Sequence, residues 1–275
     1  MKARKRVRWK RIVAVMLFFT IMLGTSYYIV GGKIEEHGQA ENIASNEAKL
    51  DDSKDVIEEV IEEEEEVEKE TVVLNPDGKY VALTFDDGPS SKVTPRILQT
   101  LEQHDAKATF FMLGNRVEMY PTIAAQVAAE GHEIANHTFS HPNLKKLSHK
   151  EMTEEIEKTN KLIEISTGVT PTLFRPPYGI YSQDILNYTA ANNYSTILWS
   201  VDSLDWKSRN PAAIKKEILS NITNRSIVLM HDLHTATAEA LPELLMTLKQ
   251  EGYEFVTVSE LLTLQNEKVD PYFGN

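Results

Sequence analysis

His137 and His141 stand four residues apart, and in a helical turn that spacing would stack two imidazoles on one face, where both can ligate one metal ion. Alone the pair says little, because histidines at that spacing more often decorate a surface or pack in a core. Other groups keep it company. Asp86 and Asp87 are adjacent carboxylates ahead of Gly88-Pro89, and such neighbours repel unless a cation or a base holds them. Arg175 precedes Pro176 and Pro177, which fix the backbone and aim what flanks them. Asp202, Asp205 and Trp206 follow one β-rich run, and His231 follows Leu229-Met230 in another. The chain has no cysteine, so any zinc would be held by His, Asp or Glu.

The elements that must position these groups are read from periodicity and punctuation. Seven β-rich runs, over 80–85, 108–113, 133–136, 172–175, 196–201, 227–230 and 254–256, alternate with helical patterns. Helices are expected over 95–103 and 121–130, from the Ser148-x-x-Glu151 capping box to Gly168, from Ser182, after Asn210-Pro211, over 238–250 and after a Ser259 cap. Strands that are nearly continuous apolar runs, alternating with helices, imply an α/β fold with a parallel sheet covered by helices. Seven units within residues 78–265 favour a small (β/α) barrel, with an open sheet as the alternative left by spacing alone. Either way chemistry belongs where strands end, and five of the seven runs end in groups that bind metal, move protons or meet sugar rings. Phe110, Phe111, Tyr194 and Trp199 fall inside strands and are expected in the core; His37, His104, His132, His149 and His234 are not expected to be ligands.

The first part of the chain has a different composition. Residues 1–11 carry Lys2, Arg4, Lys5, Arg6, Arg8, Lys10 and Arg11 with no acid, and an apolar run over 12–31 follows. That pattern predicts a basic cytoplasmic tail and a transmembrane anchor, with the rest of the chain outside; a cleaved signal, and so a secreted protein, is the alternative. Residues 32–77, with the run Glu62 to Glu66, read as an acidic linker, and 266–275 as a C-terminal tail. The formal net charge of −12 argues against nucleic acid as a partner.

Residues 79–262 resemble the polysaccharide deacetylase family, the NodB-homology domain of carbohydrate esterase family 4. Its five motifs occur in order: Thr84-Phe85-Asp86-Asp87, His137-Thr138-x-x-His141, Arg175-x-Pro177-Tyr178, Asp202-Ser203-x-Asp205-Trp206 and Leu229-x-His231. The resemblance implies a distorted (β/α) barrel of seven or eight strands and a metal-dependent N- or O-deacetylase. By position, Asp87, His137 and His141 would hold a divalent ion, zinc first and cobalt or another ion as alternatives. Asp86 would be the general base and His231 the general acid, with Arg175 set against Asp86 and Asp205 against His231. Tyr178 would offer a backbone N–H to the oxyanion; Pro176, Trp206 and Leu229 would line the substrate pocket. An outward-facing domain on a membrane tether favours peptidoglycan as the acetylated polysaccharide, as in membrane-anchored peptidoglycan N-acetylglucosamine deacetylases. Chitooligosaccharide or exopolysaccharide deacetylation, acetylxylan esterase activity, or a non-catalytic wall-glycan-binding role are the alternatives.

Overall fold

The computed structural model describes residues 73–265 and 269–274. The expected basic tail, the span at 12–31 and most of the acidic linker lie outside these residues. No helix among the described residues is long and apolar enough to cross a membrane.

The eight described strands are β1 (Tyr80–Asp86), β2 (Thr109–Met112), β3 (Glu133–Asn136), β4 (Leu173–Phe174), β5 (Ser195–Thr196), β6 (Val201–Asp202), β7 (Ser226–His231) and β8 (Glu254–Phe255). They form one parallel sheet in the order β5-β4-β3-β2-β1-β7-β6, with β8 beside the start of β1. Helices α1 (Thr94–Gln103), α2 (Gly114–Met119), α3 (Pro121–Ala129), α4 (His149–Thr167), α5 (Gln183–Ala191), α6 (Asp205–Ser208), α7 (Pro211–Asn221), α8 (Thr235–Gln250) and α9 (Val258–Leu262) connect and cover them.

Side-chain alternation decides which residues reach the site. On β1, Val81, Leu83 and Phe85 pack with Leu98, Leu101, Leu241 and Leu244 of α1 and α8. Tyr80 and Ala82 point the other way, into a second cluster with Phe111, Ala135, Leu173, Ile197 and Ile227 that fills the inside of the curled sheet. Successive side chains of a strand face opposite sides, so Thr84 and Asp86 continue the inward set toward the open end. Register then levels the strand ends: Asp86 pairs with His231, Asp202 with Leu229, and Asn136 with Phe174.

The expected fifth strand, over 196–201, does not exist as one element. β5 pairs with β4 at one edge and β6 pairs with β7 at the other, so residues 197–200 cross the gap between the two edges. One run cannot be in register with both edges at once, and the crossing is held by irregular bonds: Ser200 N–H donates to Ile227 O and Leu198 N–H to Tyr272 O. Residues 269–274, expected to be a tail beyond the domain, join this seam. Tyr272 is buried and bridges Ile197, and Gly274 bridges Ser226.

The helix from Ser148 to Gly168 forms as expected, with the capping box intact and Gly168 left-handed at φ 71°. α2 was not foreseen, being a six-residue helix without a side-chain cap. α8 begins at Thr235 rather than 238 and contains Pro242. The cap of α9 is Thr257, which makes the box with Glu260, and not Ser259.

Candidate active site

Asp86 ends β1 buried beside Arg175, whose Nη1 lies 2.6 Å from Asp86 Oδ1. Arg175 is itself fully buried, a state that requires every donor to find a partner. Nη1 also donates to Thr84 Oγ1 at 2.8 Å, Nη2 to Leu198 O at 2.9 Å and Nε to Ile197 O at 3.3 Å, while the guanidinium lies 3.9 Å over the Phe111 ring. The two carbonyls come from the seam between β5 and β6, where ladder partners are missing. Arg175 therefore joins the barrel closure to the orientation of Asp86. Burial pushes the Asp86 carboxyl up, and the Arg175 charge pulls against it.

The histidine pair is not on a helix, contrary to the geometry that its spacing suggested. Residues 137–141 form a loop in which Thr138 (φ 71°) and His141 (φ 61°) are left-handed. Short-range bonds hold that conformation: Asn136 Oδ1 accepts from Thr138 N–H at 2.8 Å, and Thr138 Oγ1 from His141 N–H at 3.2 Å. Glu155 on α4 adds a clamp, with Oε2 accepting from the N–H of Phe139 (2.9 Å) and Ser140 (2.8 Å) and Oε1 from Ser140 Oγ (2.7 Å).

Within this frame, Asp87 Oδ1 lies 3.7 Å from His137 Nε2 and 3.6 Å from His141 Nε2. Ligand bonds of ~2.0–2.2 Å around a tetrahedral ion would leave ligand atoms roughly 3.5 Å apart, which the two Asp87–imidazole separations match, and all three residues offer a ligand atom within 4.8 Å of one another. Two further observations agree. Asp87 Oδ1 is buried without a hydrogen-bond donor, an orphaned acceptor that a cation would satisfy. His137 Nδ1 lies 2.7 Å from Arg175 O; a carbonyl can only accept, so the ring proton is on Nδ1 and the Nε2 lone pair faces Asp87. Burial drives the His137 pKa down to about 3, which keeps the ring neutral and able to ligate.

Across the cleft, His231 Nδ1 lies 2.7 Å from Asp205 Oδ1, and Asp205 Oδ2 accepts from His231 N–H and Thr237 Oγ1, each at 2.7 Å. Burial opposes charge on His231, but the hydrogen bond and charge of Asp205, with Asp86 and Asp87 beyond, raise its pKa to about 9. The ring thus carries its proton at neutral pH. Asp232, next in sequence, is buried under the Asp87-Gly88 turn and accepts from Thr94 Oγ1 at 2.5 Å.

Asp86, Asp87, His137, His141 and His231 line one cavity of about 440 Å³ with Pro176, Tyr178, Trp199, Asp202, Trp206 and Leu229. All eleven residues singled out from the sequence meet here. Arg175 and Asp205 lie behind Asp86 and His231, and the other nine line the wall. Tyr178 is left-handed (φ 62°) and exposed, and its ring packs edge-on against His141 at 4.5 Å. The next residue, Gly179, has no room for a side chain, since a Cβ would sit 2.8 Å from the Trp199 ring. Trp199 packs against the second core cluster, as expected, but is only partly buried, and from its place on the seam crossing it also forms a wall of the cavity. Glu155 and Asp202 had also not been assigned a role. Glu155 carries no motif signal, whereas Asp202 was marked by its strand end and by its place in the fourth motif.

The family profile described as polysaccharide deacetylase matches residues 73–197. A Bacillus cereus protein named peptidoglycan-N-acetylglucosamine deacetylase is 40% identical over 189 residues, covering 67% of this chain and 88% of that protein. The chain belongs to the polysaccharide deacetylase family. Among other polysaccharide deacetylases, the Listeria monocytogenes protein named peptidoglycan-N-acetylglucosamine deacetylase PgdA is 46% identical over 183 residues, which are 66% of this chain and 39% of PgdA. This chain therefore spans about two fifths of that relative's length. Bacillus subtilis PdaC, named a peptidoglycan-N-acetylmuramic acid deacetylase, is 38% identical over 200 residues, 73% of this chain and 42% of PdaC. Its solved structure has a TM-score of 0.67 at 39% identity, over 70% of this chain and 93% of that structure. The curled parallel sheet, a half-barrel, therefore matches that of solved peptidoglycan deacetylases.

Proposed function

We propose that the chain is a metal-dependent N-deacetylase that hydrolyses the acetamido group of N-acetylglucosamine in peptidoglycan. The observation that carries this reading is the orphaned Asp87 Oδ1 facing two histidine Nε2 atoms, with Asp86 on one side and a protonated His231 on the other. Asp87, His137 and His141 would hold the ion, zinc being the first expectation for two imidazoles and a carboxylate. When bound, it would supply Lewis acidity toward water and an acetyl oxygen.

The chain's own residues do the rest. Asp86 Oδ2, 3.6 Å from His137 Nε2, faces the same space as the ligands and takes the proton of the attacking water, while Arg175 fixes its other oxygen. The backbone N–H of Tyr178, offered in a left-handed turn braced by Trp199, is the donor for the oxyanion. His231 donates to Asp205 through Nδ1, so Nε2 is the atom that protonates the departing amine. Leu229 meets the acetyl methyl, and Trp206 and Pro176 flank the sugar.

The peptidoglycan assignment is supported by the names of the B. cereus and L. monocytogenes relatives. An anchor at 12–31 would hold the domain outside the membrane, under the wall. The test is acetate release from wall glycan, chitin oligomers and acetylxylan, with and without chelator, for the parent and Asp86→Asn. Metal-dependent release from wall glycan, lost in the variant, is expected. Release untouched by chelator, or equal in the variant, would sink the mechanism; release confined to acetylxylan or chitin would replace the substrate.

A further inference from the structure

We propose that Arg209 and His234 form a carboxylate-recognising subsite beside the reactive cavity, taking an acidic group carried by the sugar next to the one deacetylated. The inference rests on the peptidoglycan reading and deepens it. Arg209 follows α6 in a left-handed conformation (φ 48°), directly after the Trp206 wall. Its Nε–H donates to Trp206 O at 3.0 Å, and Nη1 donates to His234 Nδ1 at 2.7 Å. A guanidinium has about five N–H donors and no acceptor, so these two bonds leave about three more on a residue that is exposed. Among the described residues, no carboxylate lies within ion-pair distance of Arg209.

His234 completes the arrangement. Because its Nδ1 accepts from Arg209, the proton of the neutral ring is on Nε2, which adds another donor. The ring lies 5.8 Å from that of His231, so the pair sits against the acid side of the reaction centre. Burial, with the adjoining Arg209 charge, lowers the His234 pKa and keeps that tautomer at neutral pH.

Within the cavity Asp86, Asp87 and Asp202 oppose an anion, and the positive groups there, His231 and the ion that Asp87, His137 and His141 would hold, are already committed to the reacting acetamido group. Arg209 and His234 offer an anion a planar fork and a ring donor only at the rim beyond Trp206. An oligomer of N-acetylglucosamine alone has nothing for such a fork. In peptidoglycan the alternate sugar carries a lactyl ether extended by a peptide, and carboxylates occur on that branch. The chemistry recognised is a carboxylate; its source is either the lactyl group or the peptide.

The experiment measures kcat and KM of the full chain, parent, Arg209→Gln and Arg209→Lys, on three glycans. These are peptide-bearing wall glycan, wall glycan stripped of peptide by an amidase so that lactyl carboxylates are free, and the chitin tetramer. With Arg209→Gln, KM on at least one carboxylated glycan should rise about three- to tenfold with kcat unchanged, the size of a rim charge pair. On the chitin tetramer the change should stay below about twofold. Lysine should restore only part of the loss, since it lacks the fork, and the parent's KM on the responsive glycan should rise with salt where the Gln variant's does not. A response on peptide-bearing glycan alone assigns the peptide, and one on stripped glycan assigns the lactyl group. An equal loss on all three glycans, as from an Arg209 that merely braces Trp206, or no change on either carboxylated glycan, overturns the subsite. The parent alone tests the underlying reading: acetate from chitin and none from either wall glycan removes peptidoglycan, and the subsite with it.

Discussion

Replacing Glu155 with alanine should weaken metal binding while leaving the fold in place. The loop from His137 to His141 has two left-handed non-glycine residues, Thr138 and His141, each costing about 1–2 kcal/mol. Something must offset that strain if His141 is to face Asp87. The Glu155 carboxylate accepts three bonds from the two residues between them, at 2.9, 2.8 and 2.7 Å. The clamp is half-exposed, so each bond returns at most about 1 kcal/mol, yet three together match the strain. Without them the loop relaxes and the ion must reorganise it on binding. Loss of a group that orients ligands commonly lowers metal affinity about 10–100-fold, or roughly 1.4–2.8 kcal/mol, the same size as the lost clamp. The assay titrates zinc into metal-free protein against a chelator of known affinity, with urea denaturation of the same metal-free samples. Glu155→Gln, which keeps the shape and loses the charge, should fall between parent and Ala. A denaturation midpoint close to the parent's with zinc affinity also within twofold would refute the reasoning, because His141 would then be held without the clamp.

Arg175→Met removes one partner of a buried ion pair and should cost about 3–5 kcal/mol in urea denaturation, because Asp86 and the carbonyls of Ile197 and Leu198 lose their donor. A cost below about 1 kcal/mol would show that the seam does not depend on it. The pH profile tests Asp205. Asp205, with Asp86 and Asp87, pushes the His231 pKa up to about 9, and an ion on Asp87 would offset part of that rise; the ring must be protonated to act, so kcat/KM should fall on an alkaline limb above 6.5 and no higher than about 9. In Asp205→Asn the charge that raises it is gone while burial remains, so the alkaline limb should move to the acid side, toward 6.5 or below. An alkaline limb that stays in place would assign it to another group.

The chemistry was legible in the sequence because strand alternation and the short motifs at the strand ends need only local pattern. Thr84 and Asp86 continue the inward set of Tyr80 and Ala82, and His231 lies level with Asp86 across a regular ladder. What escaped notice depends on contacts between distant residues. The crossing at 197–200 looks like a strand from its apolar composition, and only its two edge partners show that it bridges a gap, which brings Trp199 to the cavity and residues 269–274 into the barrel. The spacing of His137 and His141 suggested a helix, but two left-handed residues and a clamp from α4 bring the rings together. Glu155 itself is one acid among several on an exposed helix, and nothing in its neighbourhood marks the loop it binds.

The most direct test of the central claim is the mass of the sugars in defined peptidoglycan after treatment with the metal-loaded parent, the metal-free parent and Asp86→Asn, each digested to disaccharide-peptide units. The metal-loaded parent alone should yield units lighter by one acetyl group, with the free amine on glucosamine. Deacetylation on the muramic acid sugar, or glucosamine products formed equally by the metal-free protein or by Asp86→Asn, would contradict it.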